Sequence, residues 1–360
     1  MSQVALGMPS LRRAGVLPGD RPADDRLVDR FGRVATDLRV SLTDRCNLRC
    51  SYCMPAEGLD WLPDDRLLTD AELVRLVTVA VERLGVEEVR FTGGEPLLRR
   101  GLEDLVAATT ALRTASGASP STAVTTNALG LARRARRLAD AGLDRVNVSV
   151  DSLDRERFAA ITHRDRLPDV LAGIHAAAEA GLTPVKLNAV LLRGVNDDEA
   201  VPLLSFALEH GYELRFIEQM PLDPQGAWSR DGMITADEIL AVLSASFTLS
   251  PVDAATRGAA PAQLWTATDG DRSGRVGIVA SVTRPFCGDC DRTRLTADGQ
   301  VRNCLFSGAE TDLRALLRGG ATDAELADAW RGDMWAKRAG HGIDDPSFLQ
   351  PVRPMSAIGG

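Results

Sequence analysis

The chain has 360 residues, 44% hydrophobic and 26% charged, the balance of a soluble globular protein long enough for one large α/β domain with an appendage. Its formal net charge of −8 argues against nucleic-acid binding by the whole surface but leaves room for a local basic pocket that takes a small polyanion. No run approaches the roughly 18 consecutive apolar residues of a membrane span, and Met1–Arg30 has no apolar secretory core. A cytoplasmic protein with no membrane and no nucleic-acid partner is expected, with residues 1–33 as a flexible extension.

From about Asp37 onward, strand-like and helix-like stretches alternate. Leu38–Leu42 alternates apolar and polar residues as a strand does. Three thiols follow it at Cys-x3-Cys-x2-Cys spacing: Cys46, Cys50 and Cys53. A structural zinc site wants four protein ligands, and a cubane iron–sulfur cluster normally has a thiolate on every iron. Three thiolates on one short loop therefore suggest a cluster with one iron left open to a substrate or cofactor. The plainer alternative is a partial zinc knuckle or three unrelated buried thiols.

Next, Thr69-Asp70-Ala71-Glu72 is a capping box. It opens a helix with Leu73, Leu76, Val77, Ala80, Val81 and Leu84 on one face, closed by Gly85. Beyond it the spacing predicts strands over Val86–Thr92, Ser121–Thr126, Arg145–Val150, Pro184–Leu191 and Glu213–Glu218. Helices are expected between them over Leu102–Ala111, Leu131–Ala141, Val170–Ala180 and Glu199–His210. Such alternation implies right-handed crossovers, a parallel sheet and a partly closed six-unit barrel.

In parallel α/β folds, ligand groups gather beyond the carboxyl ends of strands. Polar residues fall there in each unit: the cysteine loop, Gly93-Gly94-Glu95-Pro96, Thr125-Thr126-Asn127, Ser149 with Asp151, Lys186 with Asn188, and Glu218 with Met220. The Gly93-Gly94 turn would let backbone approach a ligand closely, though taken alone it reads more readily as an ordinary βα turn. It is not a GxGxxG fingerprint, and no P-loop occurs, so any nucleotide must be held by other means.

Beyond Pro221 the pattern changes. A second capping box, Thr235–Glu238, starts a helix through Leu243, and Pro251–Pro261 is a Pro/Ala/Gly-rich connection. Arg275–Val282 reads as a strand, followed by Cys287 and Cys290. The Asp298-Gly299 hairpin signal then carries Cys304 back toward them. A third box, Thr322–Glu325, starts the last expected helix, and the chain ends in Gly359-Gly360. The six cysteines thus divide into two triplets, which in a chain without a signal sequence favours metal over disulfides. Taken alone, the second triplet is a zinc knuckle short of one ligand or another three-thiolate cluster; beside the first, the cluster is preferred.

Arg39, Arg90, Lys186, Arg215, Arg292 and Arg294 lie in or beside strands, where an unpaired charge is costly to bury. Arginine's planar fork suits phosphate oxygens, so a polyphosphate pocket competes with the reading of ordinary solvated charges. His163, His175, His210 and His341 lack ligand spacing or a nucleophile partner and read as structural.

Together these residues resemble the radical S-adenosylmethionine (SAM) superfamily. Over about Val34 to Gly360 they are similar to the GTP 3′,8-cyclase family of molybdenum-cofactor biosynthesis. The likeness runs through Asp37-Leu38-Arg39, Ser41–Asn47, Tyr52–Pro55, Thr92–Pro96, Thr125-Thr126-Asn127, Asn147–Asp151, Arg215–Glu218, the second cysteine set with Arg292 and Arg294, and the Gly-Gly tail. Ala128 departs from it, standing where the family has Gly. Two rivals remain: a radical SAM peptide-modifying enzyme, which typically carries more C-terminal cysteines, and a non-catalytic zinc or iron–sulfur scaffold.

The resemblance implies a partial (β/α)6 TIM-type barrel of the radical SAM kind over residues 34–221. A C-terminal α+β extension over 222–360 would carry the second iron–sulfur cluster. It implies that Cys46, Cys50 and Cys53 hold a [4Fe–4S] cluster whose open iron chelates SAM, and that Cys287, Cys290 and Cys304 hold a second whose open iron takes the guanine base. Reductive cleavage of SAM would yield a 5′-deoxyadenosyl radical that removes the 3′ hydrogen of GTP, after which C3′ attacks C8. Tyr52, Gly94, Ser149 and Met220 correspond to SAM contacts, and Arg39, Arg90, Thr125, Lys186, Arg292 and Arg294 to GTP contacts. Arg215 falls near both ligands, and Gly359 and Gly360 would enter the active site. The family further implies a flavodoxin- or ferredoxin-type one-electron donor, a homodimer, and handover of product to cyclic pyranopterin monophosphate synthase.

Overall fold

The computed structural model describes residues 20–253, 257–346 and 348–359. Six parallel strands form its centre: β1 (Asp37–Ser41), β2 (Glu88–Thr92), β3 (Ser121–Thr126), β4 (Arg145–Ser149), β5 (Lys186–Ala189) and β6 (Glu213–Ile217). They are linked by α1 (Asp70–Leu84), α2 (Leu102–Thr110), α3 (Ala135–Asp140), α4 (Arg155–Thr162), α5 (Leu167–Glu179) and α6 (Ala200–His210). The remainder comprises α7 (Ala236–Ser246), β7 (Thr248–Pro251), β8 (Gln263–Asp269), β9 (Arg272–Val279), β10 (Arg292–Leu295), β11 (Gln300–Arg302), β12 (Thr311–Asp312), α8 (Leu313–Arg318), α9 (Asp323–Trp335) and α10 (Met355–Ile358).

Strand periodicity separates two environments. Leu38, Val40, Val89, Phe91, Val124, Val146, Val148, Leu187, Leu214 and Phe216 are buried on the face toward the helices. There they meet Leu73, Leu76 and Ala80 of α1, Val170 and Ile174 of α5, and Leu203 and Leu204 of α6. The alternate residues, beginning with Asp37, Arg39 and Ser41 on β1, face the other way and are mostly polar. Helix ends follow local chemistry. Thr69 and Glu72 exchange both capping-box bonds, and Gly85, at φ 77°, closes α1.

The C-terminal region does not form a body of its own. Strand order is β12-β11-β10-β1-β2-β3-β4-β5-β6-β9-β8-β7, with β10 parallel to β1 and β9 parallel to β6. Chain from beyond the expected boundary at 221/222 therefore extends the barrel sheet at both edges. Alternation within residues 34–221 carries no information about which later strands pair with its edges.

The N-terminal expectation is also corrected in part. Residues 1–19 lie outside the described residues, but 20–33 are folded onto the body. Leu27 and Asp29 are fully buried, and Val28 bridges Val34. Helix α4 was not expected either. Its apolar residues form one short run, Phe158–Ile161, without helical spacing, and Asp154 caps it by accepting the Arg157 N–H at 2.8 Å.

Candidate active site

The first thiol loop leaves β1 at its carboxyl end. Leu48 and Met54 anchor it in the core. Backbone N–H groups of Arg49 and Ser51 donate to the carbonyls of Thr162 and Ile161, each at 2.9 Å, so the end of α4 is the shelf that supports the loop. Cys53 and Met54 N–H turn back onto the Cys50 carbonyl at 2.8 and 2.9 Å. The Arg49 guanidinium donates to the Cys46 carbonyl at 2.7 Å. Burial raises the pKa of Cys46, raises that of Cys50 well above the ordinary thiol value, and pushes Cys53 up to about 12. Metal binding there must release protons.

The second thiol loop sits at the opposite end of the barrel. The N–H groups of Thr36 and Asp37, at the amino end of β1, donate to the Asp291 carbonyl at 2.9 and 3.1 Å. Arg33 clamps the loop, donating to the Cys287 carbonyl at 2.5 Å, the Ala339 carbonyl at 2.9 Å and the Arg338 carbonyl at 2.6 Å. Buried Lys337 lies 3.3 Å from Cys290 Sγ and 2.9 Å from the Arg292 carbonyl. Burial pushes Cys287 up to about 11. For Cys290 burial pulls the same way, but Lys337 and Arg292 outweigh it and leave the thiol below its usual value. The hairpin turns at Gly299 (φ 76°) and pairs β10 with β11, which returns Cys304 to this end.

The chemistry of these donor sets fits clusters better than zinc. Among the described residues no three His, Cys, Asp or Glu side chains close around a single metal ion, and all six cysteines are free of disulfides. Within each set the thiols are still near enough to shift one another's ionisation. Three thiolates in each set suit a cubane with one iron left open, whereas a structural zinc site takes four protein ligands.

Between the two loops, the strand faces that point inward carry most of the charge. Register places Arg294, Arg39 and Arg90 side by side, with Arg292, Asp37 and Glu88 one step nearer the amino ends. Asn147, Lys186 and Glu213 form a further row, followed by Ser149, Asn188 and Arg215. Asp37 lies 3.9 Å from Arg39, 3.9 Å from Arg90 and 3.6 Å from Arg292. Burial works to raise its pKa, but the arginines prevail and hold it below the ordinary value. Burial lowers Arg215 and Arg294 to about 10, with repulsion from Arg90 and Arg292 respectively. It also lowers Lys186, with Arg215 adding to the effect.

These cations outnumber their carboxylates. Buried Nε atoms of Arg39, Arg90 and Arg292 have no hydrogen-bond partner among the described residues. A buried unpartnered guanidinium donor is costly, and an incoming anion would satisfy it.

The remaining expected residues occupy distinct places. Tyr52 donates its hydroxyl to Asp151 at 2.8 Å, and burial pushes Asp151 up to about 6. Thr125 accepts from Asn147 at 3.4 Å, and Arg215 donates to the same Asn147 at 3.0 Å. Ser149 ends β4 on the inner face. Met220 packs against a satellite apolar cluster with Met233, Val282 and Ile343. The close approach at Gly94 is to the chain itself, since a Cβ there would lie 2.5 Å from the Asp44 carbonyl oxygen. The Gly93-Gly94 turn thus seats the first thiol loop, and its Glu95 is buried and accepts from Thr126 and Asn127, each at 2.7 Å. Gly359 reaches the interior, where its carbonyl accepts from Arg294. Gly360 lies outside the described residues.

One expectation is displaced. Functional groups do not all collect at the carboxyl ends of strands; the second thiol set is at the amino end of β1, and the cations line the interior between. Sequence reasoning also missed Glu88, Arg145, Arg33 and Lys337. Arg145 faces inward and pairs with Glu88 at 2.6 Å. Period-two spacing, Glu88 before Arg90 and Arg145 before Asn147, was the available signal for that pair.

A parallel α/β barrel with a three-thiol loop after its first strand defines the radical SAM class of enzymes. Residues 40–207 match the Radical SAM superfamily, and residues 212–343 match Molybdenum Cofactor Synthesis C. A solved structure of SuiB from Streptococcus suis bound to S-adenosylmethionine shares the fold, with TM-score 0.57 and 14% identity over 87% of this chain and 69% of that one. The curated GTP 3′,8-cyclase of Mycolicibacterium smegmatis is 61% identical over 100% of both chains. That of Corynebacterium glutamicum is 60% identical over 98% of this chain and 93% of its own. The chain belongs to the GTP 3′,8-cyclase family. Iron–sulfur clusters and SAM are its cofactors.

Proposed function

We propose that this chain takes the ribose 3′ hydrogen from GTP and joins C3′ to guanine C8, giving 3′,8-cyclo-7,8-dihydroguanosine 5′-triphosphate, the first step toward molybdopterin. The observation that carries this reading is the buried cationic interior between two thiol sets, with guanidinium donors left unpartnered at Arg39, Arg90 and Arg292. A triphosphate matches that field in charge and in hydrogen-bond geometry.

In this reading Cys46, Cys50 and Cys53 hold one [4Fe–4S] cluster, and Cys287, Cys290 and Cys304 the other. When bound, the first cluster and SAM supply a carbon radical, and the second cluster supplies an open iron for the base. Tyr52, Gly94, Ser149 and Met220 line the SAM end. Arg39, Arg90, Thr125, Lys186, Arg292 and Arg294 hold GTP, while Arg215, fixed on Asn147, orients the nucleotide between the two ends. Gly359, whose carbonyl accepts from Arg294, fills the space beside it and helps keep water from the reacting centre. Family membership further supports cytoplasmic action, a homodimer, a flavodoxin- or ferredoxin-type donor, and handover to cyclic pyranopterin monophosphate synthase.

The test is substrate selection by the reconstituted protein under dithionite. GTP should yield a cyclised triphosphate and ATP should not. Arg39→Gln should raise the KM for GTP at least about tenfold, the loss expected for one buried charge-assisted contact. Equal turnover of ATP, or an unchanged KM in Arg39→Gln, contradicts the reading.

A further inference from the structure

A concavity of about 890 Å³ lies on the outer rim beside the first thiol loop. Its wall includes Asn47, Leu98, Arg133, Arg137, Arg164 and Arg166. We propose that this concavity is the docking surface for an acidic one-electron carrier protein that reduces the first cluster. The proposal rests on the radical SAM reading, which requires electrons to arrive one at a time at the Cys46–Cys53 end.

Three observations support it. The first is position. Asn127 Nδ2 lies 3.7 Å from Cys46 Sγ and 2.7 Å from Asn47 Oδ1, so the concavity is one side chain away from a thiol of the first set. The second thiol set also borders a concavity, with Arg33, Arg257 and Arg284 in the wall beside Cys290, but that one lies at the other end of the barrel, away from the thiols of the first set.

The second is charge. The chain as a whole carries −8, yet this wall is arginine-rich. Arg133 and Arg164 are exposed and have no carboxylate at ion-pair distance among the described residues. Arg166 meets Asp169 at 3.2 Å, and Arg137 meets Glu103 only at 3.5 Å. Glu103 is committed to Arg134, which also holds the Leu97 carbonyl; that arginine is part of the scaffold. A basic patch on an acidic protein attracts acidic partners and accelerates their encounter.

The third is surface character. Leu98, one of few large apolar residues on the outside, is 45% exposed in this wall. An apolar contact ringed by arginines is the composition of an interface centre with a charged rim. A second copy of this chain, or a small anion, would be the other occupants.

The experiment compares two reductants on the same reconstituted full-length enzyme: an acidic flavodoxin in its hydroquinone form, and dithionite. The variants are Arg133→Glu/Arg164→Glu and, separately, Arg166→Glu. With flavodoxin, SAM cleavage by the wild type should slow as salt rises, and the double variant should be slower by about tenfold at low salt with a weaker salt dependence. With dithionite, the variants and wild type should agree. Equal loss with both reductants would overturn the proposal, because the arginines would then support the thiol loop itself. Undiminished flavodoxin rates in the variants would overturn it too. So would sedimentation showing that the double variant only dissociates a dimer, which gives the surface to a second copy. Failure of the wild type to cleave SAM with dithionite, iron being present, would instead defeat the radical SAM reading.

Discussion

Gly359 sits at φ 84° inside the barrel, and a Cβ on it would lie 2.7 Å from Thr92 Cγ2 and 3.3 Å from Ser41 Cβ. Both the backbone and the space exclude a side chain. Keeping an alanine there would cost roughly 2–4 kcal/mol in positive-φ strain and overpacking, so Gly359→Ala should instead withdraw the tail from Arg294. Cyclised product should fall at least about tenfold while iron content and the unfolding midpoint hold, read by anaerobic turnover beside iron analysis. Ala128 is the contrasting case. It is buried at φ 63°, a conformation that glycine adopts without strain. Ala128→Gly would relieve about 1–2 kcal/mol of strain. It would lose about 0.8 kcal/mol of methyl burial and up to about 1 kcal/mol of unfolded-state restriction. The unfolding free energy should thus change by less than about 1 kcal/mol. At this scale the cysteines and most of the cations were legible in the sequence, because spacing and strand alternation constrain them locally. The Glu88–Arg145 pair and the contacts of Lys337 were not, since they depend on register and on residues distant in the chain.

Among elements, all three expected capping boxes form, at α1, α7 and α9. Their signal is contained within four residues. The segment 20–36 carries no such signal, yet it determines the second thiol loop through Arg33, whose side chain is 8% exposed and also pairs with Asp29 at 2.5 Å. Arg33→Ala should release that loop, so that reconstituted protein holds the first cluster but little of the second. Iron and sulfide analysis with electron paramagnetic resonance would check this; full occupancy of both would contradict it.

Helix α9 supplies a pH-dependent element. Burial pushes Asp333 up to about 7, against the pull of its Thr311 contact and Arg302, and its Oδ2 has no hydrogen-bond partner among the described residues. Because the folded pKa lies above the unfolded value, the folded chain binds more protons between about pH 4 and 7. This group's stabilising contribution is therefore lost as pH rises through that window. Asp333→Asn removes the ionisation. It should flatten that part of the stability profile and raise stability near pH 8 by about 1–3 kcal/mol, as followed by denaturant unfolding across pH.

For the whole molecule, the central arrangement is two thiol loops at opposite ends of one barrel, with a cationic interior between. The six βα units were readable from periodicity, but the strands added at the two edges of the sheet were not. Strands β9 and β10 are adjacent in the chain, yet they pair with opposite edges of the six-stranded centre. Nothing local in Arg272–Leu295 encodes that separation; it follows from which edges remain unpaired once the barrel strands have assembled. The proposed reaction uses this arrangement: the second loop would grip the base at one end while the ribose faces the first thiol set at the other. The most direct test is a single anaerobic turnover of the reconstituted protein with SAM, dithionite and GTP deuterated at ribose C3′. The account predicts deuterium in 5′-deoxyadenosine together with a cyclised guanosine triphosphate. Deoxyadenosine formed without deuterium would contradict it.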